Sequence, residues 1–255
     1  MLNTACVLAL TIALQSGPVS PPPSSPPPPA AGPAKISEPG RSAADDLFLQ
    51  LGADFKRLPS AQSGLILGIG GLTTLLVHQK DDEVSDWADD SGASSYSKIG
   101  KFLGDGWVQG GVAVGAYVVG RAFKHPRATD FGADLFRAQL MNGLFTQGLK
   151  VSVRRERPSG GNKHSMPSGH TSATFASASV IHRHFGWKAG IPAYGVASVI
   201  GWSRVRDNTH WLSDVTLGAT IGLIAGHTVA RGNHTWQVAP VKTSGGFAVY
   251  VSKGR

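Results

Sequence analysis

The chain has 255 residues, 41% of them hydrophobic and 16% charged, which supports one good core with a tail and not two. A formal net charge of +8 and an isoelectric point near 9.8 favour anionic partners: phosphate esters, an acidic membrane surface or nucleic acid. Nucleic acid is set aside, because no stretch interleaves basic residues with aromatics or builds a basic recognition helix. The single cysteine, Cys6, lies in the first apolar stretch, so the folded part is expected to carry neither disulfide nor thiol chemistry.

Residues 1–16, MLNTACVLALTIALQS, hold an apolar run from Ala5 to Leu14 that is too short to span a bilayer and reads as an export signal or an uncleaved anchor. Proline dominates residues 17–42, an extended tether, so a folded domain is expected over 43–235 with a C-terminal tail at 236–255. Inside the domain, apolar residues recur at helical spacing, as in Phe131, Leu135, Leu140, Leu144 and Leu149. The pattern predicts helices over 44–56, 61–79, 97–120, 129–152, 169–186, 189–204 and 210–230. The acidic run DDEVSDWADD at 81–90 lacks the spacing and the glycine of a calcium loop and reads as a solvated loop. In the tail, Val238 and Val241, then a Ser-Gly-Gly turn, then Phe247, Val249 and Val251 form the pattern of a short β-hairpin. The expected fold class is all-α, a helical bundle of about six core helices ending in that hairpin. Within the folded domain Leu58 to Val77 is the longest stretch free of charge and histidine and has about the length of a membrane span; the other helical stretches fall short of the ~20 residues a span needs. With a mean hydropathy of −0.04, a soluble or membrane-associated domain is favoured over a polytopic one.

Three clusters carry chemistry. In KVSVRRERP, Lys150 and Arg157 are seven apart, which predicts two cations on one helical face, two turns along, with Pro158 ending the helix. Arg154 and Arg155 read as a basic helix end complementing the macrodipole. In PSGH, Pro167 closes a loop, Ser168 is a good N-cap, Gly169 lets backbone approach closely, and His170 falls in the first turn, where an anion would be held by free N–H groups. In SRVRDNTHWLSD, His210 and Asp214 are expected to stack on one helical face. Asp214 would accept the Nδ1 proton and leave Nε2 free, while Arg204 adds a planar fork suited to phosphate oxygens. These residues ask for a phosphate-like anion and two histidines of different role, and leave open which histidine is the nucleophile. His182 and His184, two residues apart, face opposite ways on a helix and make no metal site. His164 either lines the pocket or faces solvent, and Trp211 packs beside His210 without a chemical role.

The order K-x6-RP, PSGH, SR-x5-H-x3-D resembles the signature of the type 2 phosphatidic acid phosphatase superfamily, which includes bacterial acid phosphatases and vanadium haloperoxidases. It covers residues 150–214 without a departure. The resemblance implies a metal-independent phosphomonoesterase with a phosphohistidine intermediate and no cofactor. His210 would attack phosphorus, Asp214 would orient it, and His170 would protonate the leaving oxygen and then deprotonate water. Lys150, Arg157, Arg204, Ser168 and the Gly169 amide would bind the phosphate oxygens. The alternative it carries is a haloperoxidase holding vanadate, a phosphatase inhibitor, as its cofactor in the same cradle; a non-catalytic binding module is a third reading. The expected partner is a phosphorylated small molecule or lipid, including prenyl diphosphates, at the periplasmic face of a membrane after export.

Overall fold

The computed structural model describes residues 43–90, 96–230, 236–243 and 246–253. The export segment with Cys6 and the proline-rich tether lie outside the described residues. Nine helices are present among them: α1 (Ala43–Arg57), α2 (Ala61–His78), α3 (Asp81–Asp90), α4 (Tyr96–Gly104), α5 (Gly106–Ala122), α6 (Pro126–Val153), α7 (Gly169–Phe185), α8 (Trp187–Arg206) and α9 (Leu212–Ala230). Two antiparallel strands follow, β1 (Trp236–Thr243) and β2 (Gly246–Lys253), with Val238 opposite Val251 and Thr243 opposite Gly246. The all-α expectation and its terminal hairpin are both present.

Local chemistry explains where the helices start, and where the sequence reading missed. Ser60 caps α2 by accepting from the Ser63 amide at 3.1 Å. The stretch expected as one helix over 97–120 is two, because Asp105 takes the N-cap position of α5 and accepts from the Trp107 amide at 2.8 Å. The acidic run at 81–90 is helix α3, not a solvated loop. Three carboxylates in its first turn complement the positive end of the helix dipole, and Asp81, Ser85 and Ala88 turn inward.

The core is built on α6, α7 and α9, where Leu135, Ala138, Met141, Val180, Ala225 and Val229 are buried together with Ala113 of α5. Helix α7 contributes mostly Ser, Thr and Ala, so α9 can press against its backbone. A Cβ on Gly218, Gly222 or Gly226 would lie 2.6, 2.2 or 2.5 Å from the carbonyl oxygens of Ser168, Ser172 and Ala176, so any side chain there would separate the two helices. This close packing brings the start of α7 beside the start of α9, where the Ser168 amide donates to the Asp214 carbonyl at 2.9 Å.

The outside is less polar than a water-facing bundle. Leu65, Leu67, Ile69, Leu72, Leu75 and Leu76 of α2 are exposed, as are Val112, Val114, Val118 and Val119 of α5 and Ile191, Val196 and Val199 of α8. Contiguous apolar surface of this kind marks an interaction with a membrane or another apolar partner. Helices α2 and α9 are long and apolar enough to cross a bilayer; α9 is more than half buried in the core, whereas only 6% of α2 is buried.

Candidate active site

The three motif clusters meet at one end of the bundle, on helix ends and the loops joining them. His210 is 4% exposed, and lies in the loop before α9 rather than on it, because α9 begins at Leu212. The expected stacking of His210 and Asp214 on one helical face is therefore corrected: a loop residue approaches a first-turn carboxylate, with Nδ1 3.7 Å from Oδ2. At that separation Nδ1 has no hydrogen-bond partner among the described residues. Its backbone amide is tied to the Arg204 carbonyl at 3.2 Å, which fixes the loop to the end of α8.

A second correction concerns Lys150 and Arg157. Helix α6 stops at Val153, where Arg154 takes a left-handed conformation with φ 50°, so Arg157 is past the helix end and Pro158 does not terminate it. The two cations nevertheless come within electrostatic reach of each other and of His210, Lys150 from the last turn and Arg157 from the loop. The Lys150 ammonium donates to the His164 carbonyl at 2.6 Å, and its side chain passes Gly169, whose Cβ would be 3.9 Å from Lys150 Cε. Arg157 Nε is buried with no partner among the described residues. Arg204 is 2% exposed, donates to Asp207 at 2.8 Å and to Ser203 Oγ at 2.9 Å, and lies close enough to His170 to repel its charge.

Ser168 occupies the N-cap position of α7, as expected, but its hydroxyl does not cap the helix; it accepts from Thr171 Oγ1 at 3.0 Å. The first N–H groups of any helix lack intrahelical acceptors, and here they sit beside Lys150 and Gly169. His170, the second residue of α7, is enclosed by the end of α4. A Cβ on Gly104 would fall 2.9 Å from its Cβ and Cδ2, and the Lys101 carbonyl accepts a hydrogen bond from its ring.

Burial dominates the protonation of these groups. It holds His170 down to about 4, with Arg204 and His210 pushing the same way. His210 is also lowered by burial, against the opposing pull of Asp214. Lys150 falls to about 8, through burial first and Arg157 second. Burial thus favours the neutral form of both imidazoles and brings the Lys150 ammonium closer to neutrality.

Sequence reasoning missed the layer behind Asp214. Arg155, assigned only to the helix dipole, donates through Nη1 to Asp214 at 2.9 Å and to Ser213 Oγ at 2.6 Å, and through Nη2 to Asp81 at 2.8 Å. Its guanidinium also lies 5.2 Å from the Trp211 ring centroid. Asp81, read as part of a loop, accepts from the Ser213 amide at 2.9 Å and pairs with His78 at 2.8 Å. Burial pushes the Asp81 carboxyl up, but bonds from Ser213, Arg155 and His78 outweigh it and hold it below the usual range. Ser165 donates to Asp214 as well, and the Trp211 amide adds a third bond at 3.0 Å. The one signal available in sequence was the adjacency of Arg155 to the Lys150–Arg157 motif. His182 stacks edge-on against Tyr194 and His184 pairs with Asp134, while His164 is exposed. Among the described residues, no group of His, Cys, Asp or Glu is spaced to hold a metal ion.

The fold and this site define an all-α bundle that gathers two histidines and a set of cations at one end. A sequence model of the PAP2 superfamily matches residues 131–237. Over 97 residues it is 40% identical to a lipid A 1-phosphatase of Porphyromonas gingivalis, covering 37% of this chain and 22% of that protein. Over 84 residues it is 31% identical to a lipid A 4'-phosphatase of Helicobacter pylori, covering 32% and 42% respectively. The match thus spans less than half of either relative. Two crystal structures share the fold at 20% identity and a TM-score of 0.50. These are Aquifex aeolicus LpxE, covering 59% of this chain and 94% of that one, and a transmembrane PAP2-type phosphatidylglycerolphosphate phosphatase from Bacillus subtilis, covering 72% and 92%.

Proposed function

We propose that this protein is a membrane-associated, metal-independent phosphatase that releases orthophosphate from lipid phosphate monoesters through a phosphohistidine on His210. The observation that carries the reading is the convergence of buried His210 and half-buried His170 with Lys150, Arg157 and Arg204 at one end of the bundle. The buried Arg157 Nε, which has no partner among the described residues, supports an anion as the missing partner.

The chemistry follows from these positions. The substrate dianion sits among Lys150, Arg157, Arg204 and the first N–H groups of α7, where a cation ~4 Å away supplies about 4 kcal/mol of gross attraction per unit charge at an effective dielectric near 20. Its charge raises the pKa of His170, which then takes up a proton. His210 Nε2 attacks phosphorus, the P–O ester bond breaks, and the leaving oxygen takes that proton from His170. Asp214 draws closer to Nδ1 as imidazolium charge develops. Water then gives a proton to His170 and attacks the phosphohistidine, and the P–N bond breaks to release orthophosphate.

Lipid substrate is supported by the exposed apolar faces of α2, α5 and α8 and by the lipid A phosphatase relatives. The apolar run at residues 5–14 supports export, so that the site would work at the outer face of the membrane. The test is phosphate release by the full chain in detergent with EDTA, from p-nitrophenyl phosphate, hexadecyl phosphate and lipid A. Turnover of the lipid phosphates that persists in EDTA and is inhibited by vanadate is the expected result. Failure to release phosphate from any of them, or vanadate-dependent oxidation of bromide by peroxide, would overturn the reading.

A further inference from the structure

Beside the cradle, α4 and α8 enclose a groove of about 400 Å³ lined by Gly100, Leu103, Pro192, Gly195, Val199 and Ser203, among others. Its volume is that of a small-molecule site. Ser203 supplies the one polar side chain of the lining, and its hydroxyl accepts from Nε and Nη2 of Arg204 at 3.2 and 2.9 Å. A Cβ on Gly100 would lie 2.8 Å from Ser203 Oγ and 3.5 Å from Arg204 Nη2, so the groove wall and the cation of the cradle touch there. Elsewhere its lining is apolar and open to the outside: Val196 and Val199 are 52% and 57% exposed. The position of Gly195 is open, with nothing within 4 Å of where its Cβ would be.

We propose that this groove binds one hydrocarbon chain of the substrate and sets the preference for long-chain over short-chain phosphates. The inference rests on the phosphatase reading and adds the place where the chain lies. An apolar slot that ends on a phosphate-binding guanidinium matches an amphiphile in both halves, anion at Arg204 and alkyl chain along Leu103, Gly195 and Val199. A free sugar phosphate or inorganic phosphate would use the cation and leave the slot empty. Chain burial is uniform binding, felt before chemistry, so it acts on KM rather than on kcat.

The experiment is a series of straight-chain alkyl phosphates from ethyl to decyl, assayed with the full chain in one fixed detergent. The wild type is compared with Gly195→Phe and Val199→Trp, each of which puts an aromatic ring into the slot. In the wild type kcat/KM rises about threefold to fourfold per buried methylene, through KM, until the slot is full. In both variants the rise is lost or stops several methylenes earlier. The octyl-to-ethyl ratio is the readout, since it is independent of the fraction of enzyme that folds, and detergent partitioning is the same for all three proteins. A wild type without chain-length dependence, or equal slopes in all three, would overturn the inference while leaving the phosphatase reading intact. No phosphate release from any ester would sink the phosphatase reading itself.

Discussion

Two buried charge clusters sit at opposite ends of α7, one near the middle of α6 and one at its last turn, roughly 20 Å apart by helical rise from Arg137 to Lys150. In the first, Arg137 gives one terminal nitrogen to Asp54 of α1 at 2.5 Å and the other to Asp134, and Asp134 also meets His184 of α7 at 2.9 Å. In the second, Lys150 has only a carbonyl and His210 Nδ1 stops 3.7 Å short of Asp214, while an arginine Nε without a partner among the described residues is common to both clusters, on Arg137 in the first and on Arg157 in the second. Burial is similar in the two clusters, but pairing is not. The first has its carboxylates matched to its cations and ties three helices together; the second keeps cationic capacity in reserve, which is the condition for taking up an anion.

Substitutions at the two ends should therefore separate. His210→Ala should lower phosphate release by at least about 10³-fold with Tm little changed, measured as turnover beside a thermal melt. Arg155→Ala, which removes the guanidinium that bridges Asp214 and Asp81, should lower kcat about 10²-fold. Arg155→Lys should recover only part of this, because an ammonium lacks the fork that reaches Asp214, Ser213 and Asp81 together. Equal kcat in both Arg155 variants and the wild type would mean that the layer behind Asp214 is scaffolding alone.

Protonation gives an intermediate effect. A lowered lysine pKa means that the cation is present below about 8 and lost as pH rises through that value. Affinity for inorganic phosphate should then weaken by up to about tenfold per pH unit above 8, and Lys150→Arg should abolish that limb. His170, near 4 when the site is empty, is neutral at pH 6.5, so phosphate binding there should take up a proton. Calorimetry in buffers of different ionisation enthalpy reads that uptake directly. At the paired end the effect on catalysis is smallest: Asp134→Ala should cost about 3–5 kcal/mol of stability, since it strips Arg137 of a buried partner, yet turnover per folded molecule should stay within about twofold.

The sequence made the helical class readable, because helical periodicity is a local property, and its motif spacing singled out residues that the fold gathers at one end of the bundle. It was less informative about how the motifs are mounted. The spacing of Lys150 and Arg157 suggested one helical face, but a left-handed Arg154 breaks the helix, and the two converge through a loop. Spacing likewise put His210 on α9, whereas the helix starts two residues later. Asp81 and Arg155 were invisible as partners because they lie 74 positions apart and meet only when α3 packs beside the start of α9. Apolar exposure was equally hidden: composition averages the Ser- and Ala-rich α7, buried at the centre, with the leucine-rich α2 on the outside.

The most direct test of the account is to look for the covalent intermediate. His170→Ala should still form the phosphohistidine from p-nitrophenyl phosphate, whose leaving group needs little protonation, and should hydrolyse it slowly. With a labelled phosphoryl group and an alkaline quench, which preserves phosphohistidine, the account predicts label on His210 in that variant and none in His210→Ala. Label on another residue, or undiminished label in His210→Ala, would contradict it.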